Sequence, residues 1–367
     1  MKVLHVVGAR PNFMKAAPVM RALRDGAGVS QTLVHTGQHY DANMSGVFFE
    51  QLELPRPEID LEVGSGTHTR QTADIMTRLE PVLQERKPDL VLVYGDVNST
   101  VAAALVCAKL LIKVGHVEAG LRSFDRTMPE EINRVLTDHM ADLLFTPSED
   151  ADKNLQHEGI SAEKIYRVGN VMIDSLTTLL PKATDRKVNG IPDRYALITL
   201  HRPSNVDDVS TLRQMIRSLL EVNSRLHAVF PVHPRTRRRL VEFNIDLERL
   251  HLFDPLPYIE FLALQQGAAV VITDSGGIQE ESTYLNIPCL TLRENTERPI
   301  TVTMGTNILV GRDAARLQAE ISRILKGEGK RGTVPPLWDG HAAERIAAII
   351  SARTQAAAAA QQSDAGC

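Results

Sequence analysis

Three acidic residues follow short apolar segments, at the points where strands of a sheet would end. Asp96 comes after LVLVYG, Glu118 comes after KVGHV, and Glu130 lies in the PEEINR segment that follows. Carboxyl groups that converge at one edge of a sheet can differ in pKa, and a general acid and a general base need that difference. Capping of a helix N-terminus is the simpler interpretation of Asp96 and Glu130 taken one at a time. Together, the three residues predict a site of proton transfer.

Positive groups follow the first apolar segment. The motif GARP supplies Gly8, which permits a tight turn, and Arg10, and the helix predicted next carries Lys15. A helix N-terminus with two cations nearby is suited to an anion. An ordinary strand–helix turn with a surface arginine fits this motif equally well.

The segment ITDSGGIQEES predicts a strand, a glycine-rich turn and a helix that starts near Ile278. Bare backbone N–H groups at Ser275, Gly276 and Gly277 are suited to phosphate oxygens. Glu281, further into that helix, could accept hydrogen bonds from ribose hydroxyls. The segment therefore predicts a nucleotide-binding turn.

Two histidines in the second half also follow apolar runs. A lone histidine is more often structural than catalytic, but both would end strands of one sheet. A ligand role is favoured for His201, beside Arg202, and is left open for His233. The nearby RENTERP segment adds two arginines and two glutamates: Arg293, Glu294, Glu297 and Arg298.

These residues need a scaffold of alternating strands and helices. Short runs rich in Val, Ile and Leu fit strands that are buried on both faces of a parallel sheet. They form two series of six, at 3–7, 32–35, 90–94, 114–117, 143–145 and 165–168, and at 196–200, 228–232, 250–253, 270–273, 289–292 and 308–310.

Such alternation predicts an α/β chain with two Rossmann-like, doubly wound domains. The join is placed near Met172–Pro192, which gives an N-terminal domain of residues 1–172, joined by a C-terminal helix at 341–360, and a C-terminal domain of residues 173–340. Ligands bind beyond the carboxyl ends of the strands in such sheets, so two facing domains would hold a polar ligand in a cleft. The end of the chain, from Gln361, is expected to be a frayed tail.

Composition and charge argue against several classes of protein. A net charge of -4 gives no overall attraction to nucleic acid or membrane, and the arginines at 235–239 have no interleaved aromatic residues. No apolar run is long enough to span a membrane, and the first residues do not resemble a signal peptide. A cytoplasmic protein without nucleic-acid or membrane partners is expected.

No cofactor and no metal are expected. The turn after the first strand lacks GxGxxG, and GxxxxGK[ST] is absent, so neither a nicotinamide dinucleotide site nor a P-loop is indicated. The cysteines and the closest histidine pairs fit no disulfide framework or metal-ligand frame: Cys107, Cys289, Cys367, His35 with His39, and His116 with Glu118.

Seven motifs occur in a fixed order: GARPNFMKAAP, TGQHYD, GDVNST, HVEAGLRS, PEEINR, DSGGIQEE and TERP. Over about residues 1–345, this set resembles the non-hydrolysing UDP-N-acetylglucosamine 2-epimerases. The resemblance implies the two-domain glycosyltransferase-B type fold and an isomerase that interconverts UDP-N-acetylglucosamine and UDP-N-acetylmannosamine for polysaccharide synthesis. It also implies a homodimer.

The resemblance assigns roles residue by residue. Active-site positions of the family match Arg10, Lys15, Asp96, Glu118, Glu130 and His201. Its UDP contacts match Ser275, Gly276, Gly277 and Glu281, a further nucleotide-site arginine matches Arg298, and an aromatic beside uracil matches Phe261. Bacterial members can be activated by a second UDP-N-acetylglucosamine, and the equivalent region here contains Gln38–Asp41 and Arg70.

Two positions depart from the family pattern. Asn12 stands where the family commonly has Glu, and the family's HRREN or HRxEN is HRPSN here, with Pro203 and Ser204. The second departure would alter the rim beside His201 and could change the sugar or its substituents.

The chemistry of inversion at carbon 2 points to elimination, because the proton on that carbon is not beside a carbonyl and is barely acidic. Departure of UDP from carbon 1 acidifies it, so anti elimination to 2-acetamidoglucal, protonation from the other face and return of UDP would invert the centre. Arg10, His201 and the SGG amides would hold the diphosphate. The alternatives are a hydrolysing epimerase that releases UDP and free N-acetylmannosamine, an epimerase of a modified UDP-N-acetylglucosamine, a glycosyltransferase of the same fold, and a nucleotide-sugar-binding protein.

Overall fold

The computed structural model describes residues 1–25, 28–38, 49, 51–186, 188–245 and 250–364, with the backbone alone for 354–364. Residues 39–41 of the candidate effector segment, and Cys367, lie outside the described residues. The chain divides into two compact units. The first comprises Met1–Ser175 and Pro336–Cys367, and the second comprises Leu176–Pro335.

The first unit contains a parallel sheet of seven strands in the order β3-β2-β1-β4-β5-β6-β7. The strands are β1 Lys2–Val7, β2 Ser30–His35, β3 Ile59–Asp60, β4 Leu90–Tyr94, β5 Lys113–Val117, β6 Leu143–Thr146 and β7 Ile165–Arg167. Its helices are α1 Arg10–Asp25, α2 His68–Arg86, α3 Asn98–Lys109, α4 Pro129–Met140 and α5 Glu149–His157, a 3-10 turn at Ala162–Lys164, and α6 Val171–Thr184, which continues into the second unit.

The second unit contains a parallel sheet of six strands in the order β10-β9-β8-β11-β12-β13. The strands are β8 Tyr195–Thr199, β9 His227–Pro231, β10 His251–Phe253, β11 Val270–Thr273, β12 Cys289–Thr291 and β13 Asn307–Leu309. Its helices are α7 Pro203–Val206, α8 Val209–Asn223, α9 Pro234–Glu242, α10 Tyr258–Gly267, α11 Gly276–Tyr284, α12 Pro299–Thr303 and α13 Ala314–Leu325.

The central strands of both sheets are buried on both faces, as the apolar runs predicted, whereas the edge strands β3, β7 and β10 are partly exposed. In β8, for example, Ile198 packs in one apolar cluster and Leu197 in another on the opposite face. The two predicted series of six strands are present, with small shifts at their ends. The sequence reasoning missed β3, since a strand of two residues is too short to show a pattern. The prediction of two Rossmann-like domains is confirmed.

Each sheet has a topological switch point. In the first unit β1 and β4 are neighbours in the sheet, and in the second unit β8 and β11 are. Successive strands are added on one side of each pair and then on the other, so the direction of the strand order reverses there. Crevices for ligands open at such points, beyond the carboxyl ends of the strands. The segments that follow these four strands are therefore the natural places for functional side chains.

The C-terminal helix, α14, covers Ala342–Asp364, so the expectation of a frayed tail from Gln361 is wrong as far as Asp364. It packs against α1 in the first unit. The carboxylate of Asp174 accepts hydrogen bonds from the backbone N–H groups of Ala342 at 3.2 Å and Ala343 at 2.6 Å, and thereby supplies N-terminal acceptors to this helix. Within the described residues, no helix has the length and apolar character needed to cross a membrane.

Candidate functional site

The Lys15 and Glu118 side chains form a buried ion pair in the first unit. Lys15 extends from α1, Glu118 follows β5, and both residues are about 5% exposed or less. Gly95, just after β4, lies against the pair: a Cβ at this position would stand 2.6 Å from Lys15 Nζ and 3.2 Å from Glu118 Oε2. Three segments that follow β1, β4 and β5 are thus brought to one place, and Gly95 is required there to leave room.

Glu118 has a backbone conformation that side chains rarely adopt, with φ at 75°. Its N–H and that of Ala119 both donate to the carbonyl of Phe145, at the end of β6, at 3.1 and 3.0 Å. Residues held in sparsely populated conformations cluster at functional sites, where the surrounding structure fixes them. The strain supports a functional role for Glu118.

Asp96 pairs with Arg134 of α4, and its side chain remains 25% exposed. Arg134 also pairs with Glu131 at 2.7 Å. The N-cap residue of α3 is Val97 and no side chain caps that helix, so the capping alternative for Asp96 is wrong. The Asp96 carboxylate is therefore held in place beside Gly95 by an arginine.

Glu130 and Glu131 lie in the first turn of α4 but differ sharply. Glu131 is buried and accepts from the backbone N–H groups of Ser123 at 2.9 Å and Phe124 at 2.8 Å. Burial raises the pKa of Glu131, but hydrogen bonds from Ser123 and the Arg134 guanidinium outweigh it and lower the pKa. Glu130 is half-buried, and its side chain forms no ion pair with the residues that the structure describes.

The turn between β1 and α1 is fixed by Asn12, one of the departures from the family pattern. Its buried Oδ1 accepts from the N–H groups of Gly8 at 3.0 Å and Ala9 at 3.1 Å, and its Nδ2 donates to the carbonyl of Tyr94 at 2.7 Å. A glutamate could not donate to that carbonyl. Asn12 therefore holds the backbone of the turn through buried hydrogen bonds, whereas the neighbouring Arg10 side chain is exposed.

The two candidate effector residues have different environments. Gln38 is buried, and its Oε1 accepts from the N–H of Ser99 at 3.0 Å and its hydroxyl at 2.7 Å, at the start of α3. The Arg70 side chain is 76% exposed and pairs with Asp74 on the same helix. Gln71, beside Arg70, donates to the Gln38 carbonyl at 3.1 Å, so the two candidates belong to adjoining segments.

In the second unit, Asp274 orients His201. Asp274 is fully buried at the end of β11 and accepts from His201 Nδ1 at 2.9 Å and from the backbone N–H groups of His201 and Arg202 at 3.0 and 2.9 Å. Burial alone would raise the pKa of Asp274, but His201 and these N–H groups lower it to about 2. The Nδ1 contact leaves Nε2 of the part-exposed imidazole as the nitrogen available to a ligand.

The glycine-rich turn after β11 starts α11. The helix begins at Gly276, two residues earlier than the expected start near Ile278, with Ser275 as its N-cap. The Ser275 N–H donates to the Thr273 hydroxyl at 3.0 Å, so it is not the bare donor that the sequence predicted. The Ser275 hydroxyl does not cap the helix, so the turn presents that hydroxyl and the N–H groups of Gly276 and Gly277, a pattern suited to phosphate. Gly277 is half-buried in the first turn.

A buried cluster of charges supports this turn. Arg298 pairs with Glu280 at 2.8 Å and with Glu297 at 2.6 Å. Burial raises the pKa of Glu297, but Arg298 and Arg293 hold it well below its usual range. A Cβ on Gly276 would lie 2.5 Å from the Arg298 guanidinium and 2.6 Å from Glu297 Oε1, so a side chain at this position would displace the ion pair.

Glu281 and Phe261 are related through Tyr258 of α10. The buried Tyr258 hydroxyl donates to Glu281 Oε1 at 2.7 Å, which fixes the carboxylate, and Phe261 lies one helical turn after Tyr258. The Phe261 ring is half-buried against the apolar cluster under α10.

Sequence reasoning missed Gly95, Asp274 and Tyr258. The first two lie within the motifs GDVNST and DSGG, so their position was the available signal.

The departure at Pro203 and Ser204 lies on the exposed start of α7. His233 caps α9 through Nδ1, which accepts from the N–H of Arg235 at 3.2 Å. Among the described parts of the chain, no group of three His, Cys, Asp or Glu residues could hold a metal ion.

Comparison with known proteins was made on both sequence and fold. The family model described as UDP-N-acetylglucosamine 2-epimerase matches residues 21–351. The UDP-N-acetylglucosamine 2-epimerase of Methanocaldococcus jannaschii is 44% identical over 366 residues, which cover 96% of this chain and 99% of that protein. A crystal structure of a UDP-GlcNAc 2-epimerase from this organism, in complex with UDP-GlcNAc and UDP, superposes with a TM-score of 0.90 at 44% identity and the same coverage of both chains.

Two further similarities bear on specificity and fold. The UDP-2,3-diacetamido-2,3-dideoxy-D-glucuronate 2-epimerase of Pseudomonas aeruginosa is 42% identical over 355 residues, 96% of this chain and 99% of that protein. A lipopolysaccharide outer core galactosyltransferase shares the fold, with a TM-score of 0.56 at 13% identity, covering 96% of this chain and 100% of that one. The fold is thus the glycosyltransferase-B type, and the chain belongs to the UDP-N-acetylglucosamine 2-epimerase family.

Proposed function

We propose that this protein reversibly inverts carbon 2 of a UDP-N-acetylhexosamine, converting UDP-N-acetylglucosamine to UDP-N-acetylmannosamine without hydrolysis. The observation that carries the proposal is the buried Lys15–Glu118 pair, which lies against Gly95. Asp96 is the next residue after Gly95. Membership of the family supports a nucleotide-sugar substrate. A proton-transfer site of this kind serves no purpose in a protein that only binds nucleotide sugars.

The first unit supplies the proton transfers. One carboxylate removes the proton from carbon 2, the carbon 1–oxygen bond breaks, and its electron pair leaves with UDP, so that a double bond forms between carbons 1 and 2. Return of a proton to the opposite face of carbon 2 and attack of UDP on carbon 1 complete the inversion. Glu118 and Asp96 are both carboxylates in ion pairs, which is the form that a base needs. Glu130 is the third acid–base candidate.

Lys15 has a second part in this scheme. Its ammonium group neutralises the buried Glu118 carboxylate. The same group can pass a proton to that carboxylate or stabilise the departing anion. Arg10, exposed at the start of α1, is assigned to the diphosphate. The same scaffold thus combines proton transfer with stabilisation of the leaving group.

The second unit is assigned to UDP. The N–H groups of Gly276 and Gly277 and Nε2 of His201 suit the diphosphate, and Arg298 lies directly against Gly276. The Glu281 carboxylate, fixed by Tyr258, suits the ribose hydroxyls. Phe261, one turn after Tyr258, suits the uracil face. A nucleotide held by so many groups can return to carbon 1 instead of diffusing away.

An NMR experiment in D₂O with UDP-N-acetylglucosamine tests the proposal. We expect deuterium at carbon 2 of both epimers, UDP-N-acetylmannosamine as product, and no free UDP accumulating in step with turnover. Release of UDP together with free N-acetylmannosamine would identify a hydrolysing epimerase. Absence of exchange at carbon 2 would reject an epimerase and favour a transferase.

A second candidate substrate is a modified UDP-N-acetylhexosamine. The Pseudomonas aeruginosa relative, at 42% identity, is named for a diacetamido glucuronate, and Pro203 and Ser204 depart from the family pattern beside His201. Comparison of kcat/KM for UDP-N-acetylglucosamine and UDP-2,3-diacetamido-2,3-dideoxy-D-glucuronate decides between them. A value at least tenfold higher for the glucuronate would replace the substrate but leave the chemistry unchanged.

We also propose a cytoplasmic homodimer that a second UDP-N-acetylglucosamine activates near Gln38 and Arg70. The adjoining positions of these two segments support the effector site. Sedimentation gives the oligomeric state. A sigmoidal dependence of rate on UDP-N-acetylglucosamine, lost in Arg70→Ala, is the expected sign of activation.

A further inference from the structure

A buried histidine lies beneath the proposed proton-transfer site, and both of its ring nitrogens face oxygen atoms. His116, in β5, is fully buried. Its Nδ1 lies 2.6 Å from Asp138 Oδ1, and its Nε2 lies 2.8 Å from the carbonyl oxygen of Gly95. A carbonyl oxygen only accepts hydrogen bonds, so Nε2 carries a proton and donates it to Gly95.

The other side of the ring is anchored by an ionised carboxylate. Asp138, on α4, also accepts from Arg122 at 2.7 Å and from the N–H of Gly120 at 3.1 Å, and Arg122 forms a two-point pair with Glu158. Burial raises the pKa of Asp138, but His116 and Arg122 outweigh it and lower the pKa. The Asp138 carboxylate and the Gly95 carbonyl thus each hold one ring nitrogen, and the two contacts together fix the orientation of the ring.

Gly95 is the residue on which these contacts converge. Its φ of 62° is left-handed, its N–H donates to the carbonyl of Val117 at 3.0 Å, and its α-carbon lies against Lys15 and Glu118. The carbonyl that His116 holds belongs to the peptide between Gly95 and Asp96. A turn of this peptide would therefore move Asp96 and remove the surface on which the Lys15–Glu118 pair rests.

We propose that His116 is a positioning residue for catalysis: donation from Nε2 to the Gly95 carbonyl holds the peptide that places Asp96 and the Lys15–Glu118 pair for proton transfer at carbon 2. The proposal rests on the proposed function for the identity of that step. His116 touches no substrate in this scheme and acts only through Gly95.

Two substitutions separate the two nitrogens. In His116→Gln the terminal amide occupies the region of Nε2 and can still donate to Gly95, whereas in His116→Asn the amide lies near Nδ1 and reaches only Asp138. We expect kcat for deuterium exchange at carbon 2 to fall about 10²-fold in His116→Asn, since a misplacement of about 1 Å costs that much. We expect the glutamine variant to retain most of kcat, with KM and the Kd for UDP within threefold of the parent in both.

The controls distinguish positioning from loss of folding. Thermal unfolding of both variants, and amide hydrogen exchange of the segment that contains Gly95 and Asp96, are measured beside the rates. Faster exchange of that segment in His116→Asn than in His116→Gln is expected. Equal losses of kcat in the two variants, or a loss that follows Tm in both, would reduce His116 to a structural residue.

The parent enzyme is assayed first, which keeps this inference separate from the proposed function. A parent that exchanges no deuterium at carbon 2 overturns the proposed function before any variant is compared. A parent that exchanges deuterium, with His116→Asn exchanging at the same rate, overturns the role of His116 alone.

Discussion

Asp96 and Asp274 follow equivalent strands in two sheets of the same topology, yet they have opposite environments. Each comes after the strand beside the first strand of its sheet, β4 next to β1 and β11 next to β8. Asp96 is 25% exposed and pairs with an arginine, whereas Asp274 is fully buried among backbone N–H groups and His201. Topology brings an aspartate to each switch point, but burial differs: Asp96 stays open to solvent, whereas Asp274 is enclosed and holds His201.

The difference extends to the surroundings of each aspartate. The first unit places acid–base groups at its strand ends, with a strained glutamate and a lysine that neutralises it. The second unit places N–H donors, arginines and a fixed histidine there. Under the proposed function, two copies of one topology would divide the tasks, since chemistry at carbon 2 needs carboxylates and a diphosphate needs donors and cations.

Glu118→Gln tests the first unit and has the largest expected effect. It removes a base while keeping the size of the side chain, so kcat should fall about 10²- to 10⁴-fold. The Kd for UDP should stay within threefold of the parent, because UDP is assigned to Arg10 and to residues of the second unit, and Glu118 is not among these groups. Steady-state rates and titration calorimetry measure the two values. Glu80→Gln, on an exposed face of α2, is the matched control and should leave both unchanged. A Glu118→Gln enzyme that epimerises at the parent rate removes Glu118 from the mechanism.

Asp274→Asn tests the second unit, with a smaller effect. One of its atoms becomes a donor that faces His201 or the N–H groups, so His201 loses its orientation. A loss of about 1.4 kcal/mol corresponds to roughly tenfold weaker UDP binding. Asp208→Asn is the control, because the pKa of Asp208 is also lowered to about 2 by hydrogen bonds, from Ser210 and Thr211, but it only caps α8. UDP binding as tight as in the parent would separate Asp274 from the nucleotide site.

The same variant has a pH signature. The pKa of Asp274 is about 2 in the folded protein, below its ordinary value, so its carboxylate stabilises the fold above about pH 4. That contribution, on the order of 2 kcal/mol, is lost as the pH falls toward 2. Denaturant unfolding of the parent and of Asp274→Asn gives the free energy of unfolding across this pH range. The parent should lose this contribution as the pH falls, whereas the variant should not.

The sequence predicted more of the fold than of the site's internal contacts. Runs such as Leu90–Tyr94 are apolar throughout, so the strands and both Rossmann-like domains follow from pattern alone. Glu118 could likewise be placed at a strand end. Its pairing with Lys15 could not, because the two residues are separated by 103 positions and either could face several partners. The left-handed backbone of Glu118 is equally invisible in the residue types.

Asp274 and Gly95 show a second limit of sequence reasoning. The DSGG motif drew attention to the glycines that suit phosphate, whereas the aspartate before them acts through His201, which is distant in sequence. Gly95 is required because of what lies beside it, and spacing along the chain does not report a missing Cβ. Roles that depend on contacts between strand ends therefore emerge only from the structure.

Asp174→Asn has the smallest expected effect on activity and sharpens the comparison within the first unit. Asp174, on α6, is buried against the start of α14, and burial raises its pKa to about 6 although two backbone N–H groups oppose the shift. A raised folded pKa means that its contribution to stability is full below about pH 4 and is lost as the pH rises through about 6. The asparagine keeps one of the two acceptors for α14 and cannot ionise, so the variant should lose this pH dependence. Denaturant unfolding at several pH values measures the free energy of unfolding, with turnover expected to be unchanged.

Asp339→Asn is the opposite control, because the Arg345 hydrogen bond lowers the pKa of Asp339 and its loss should destabilise the protein at neutral pH. If Asp174→Asn lowered kcat without changing stability, burial alone would not separate structural from catalytic carboxylates in this unit.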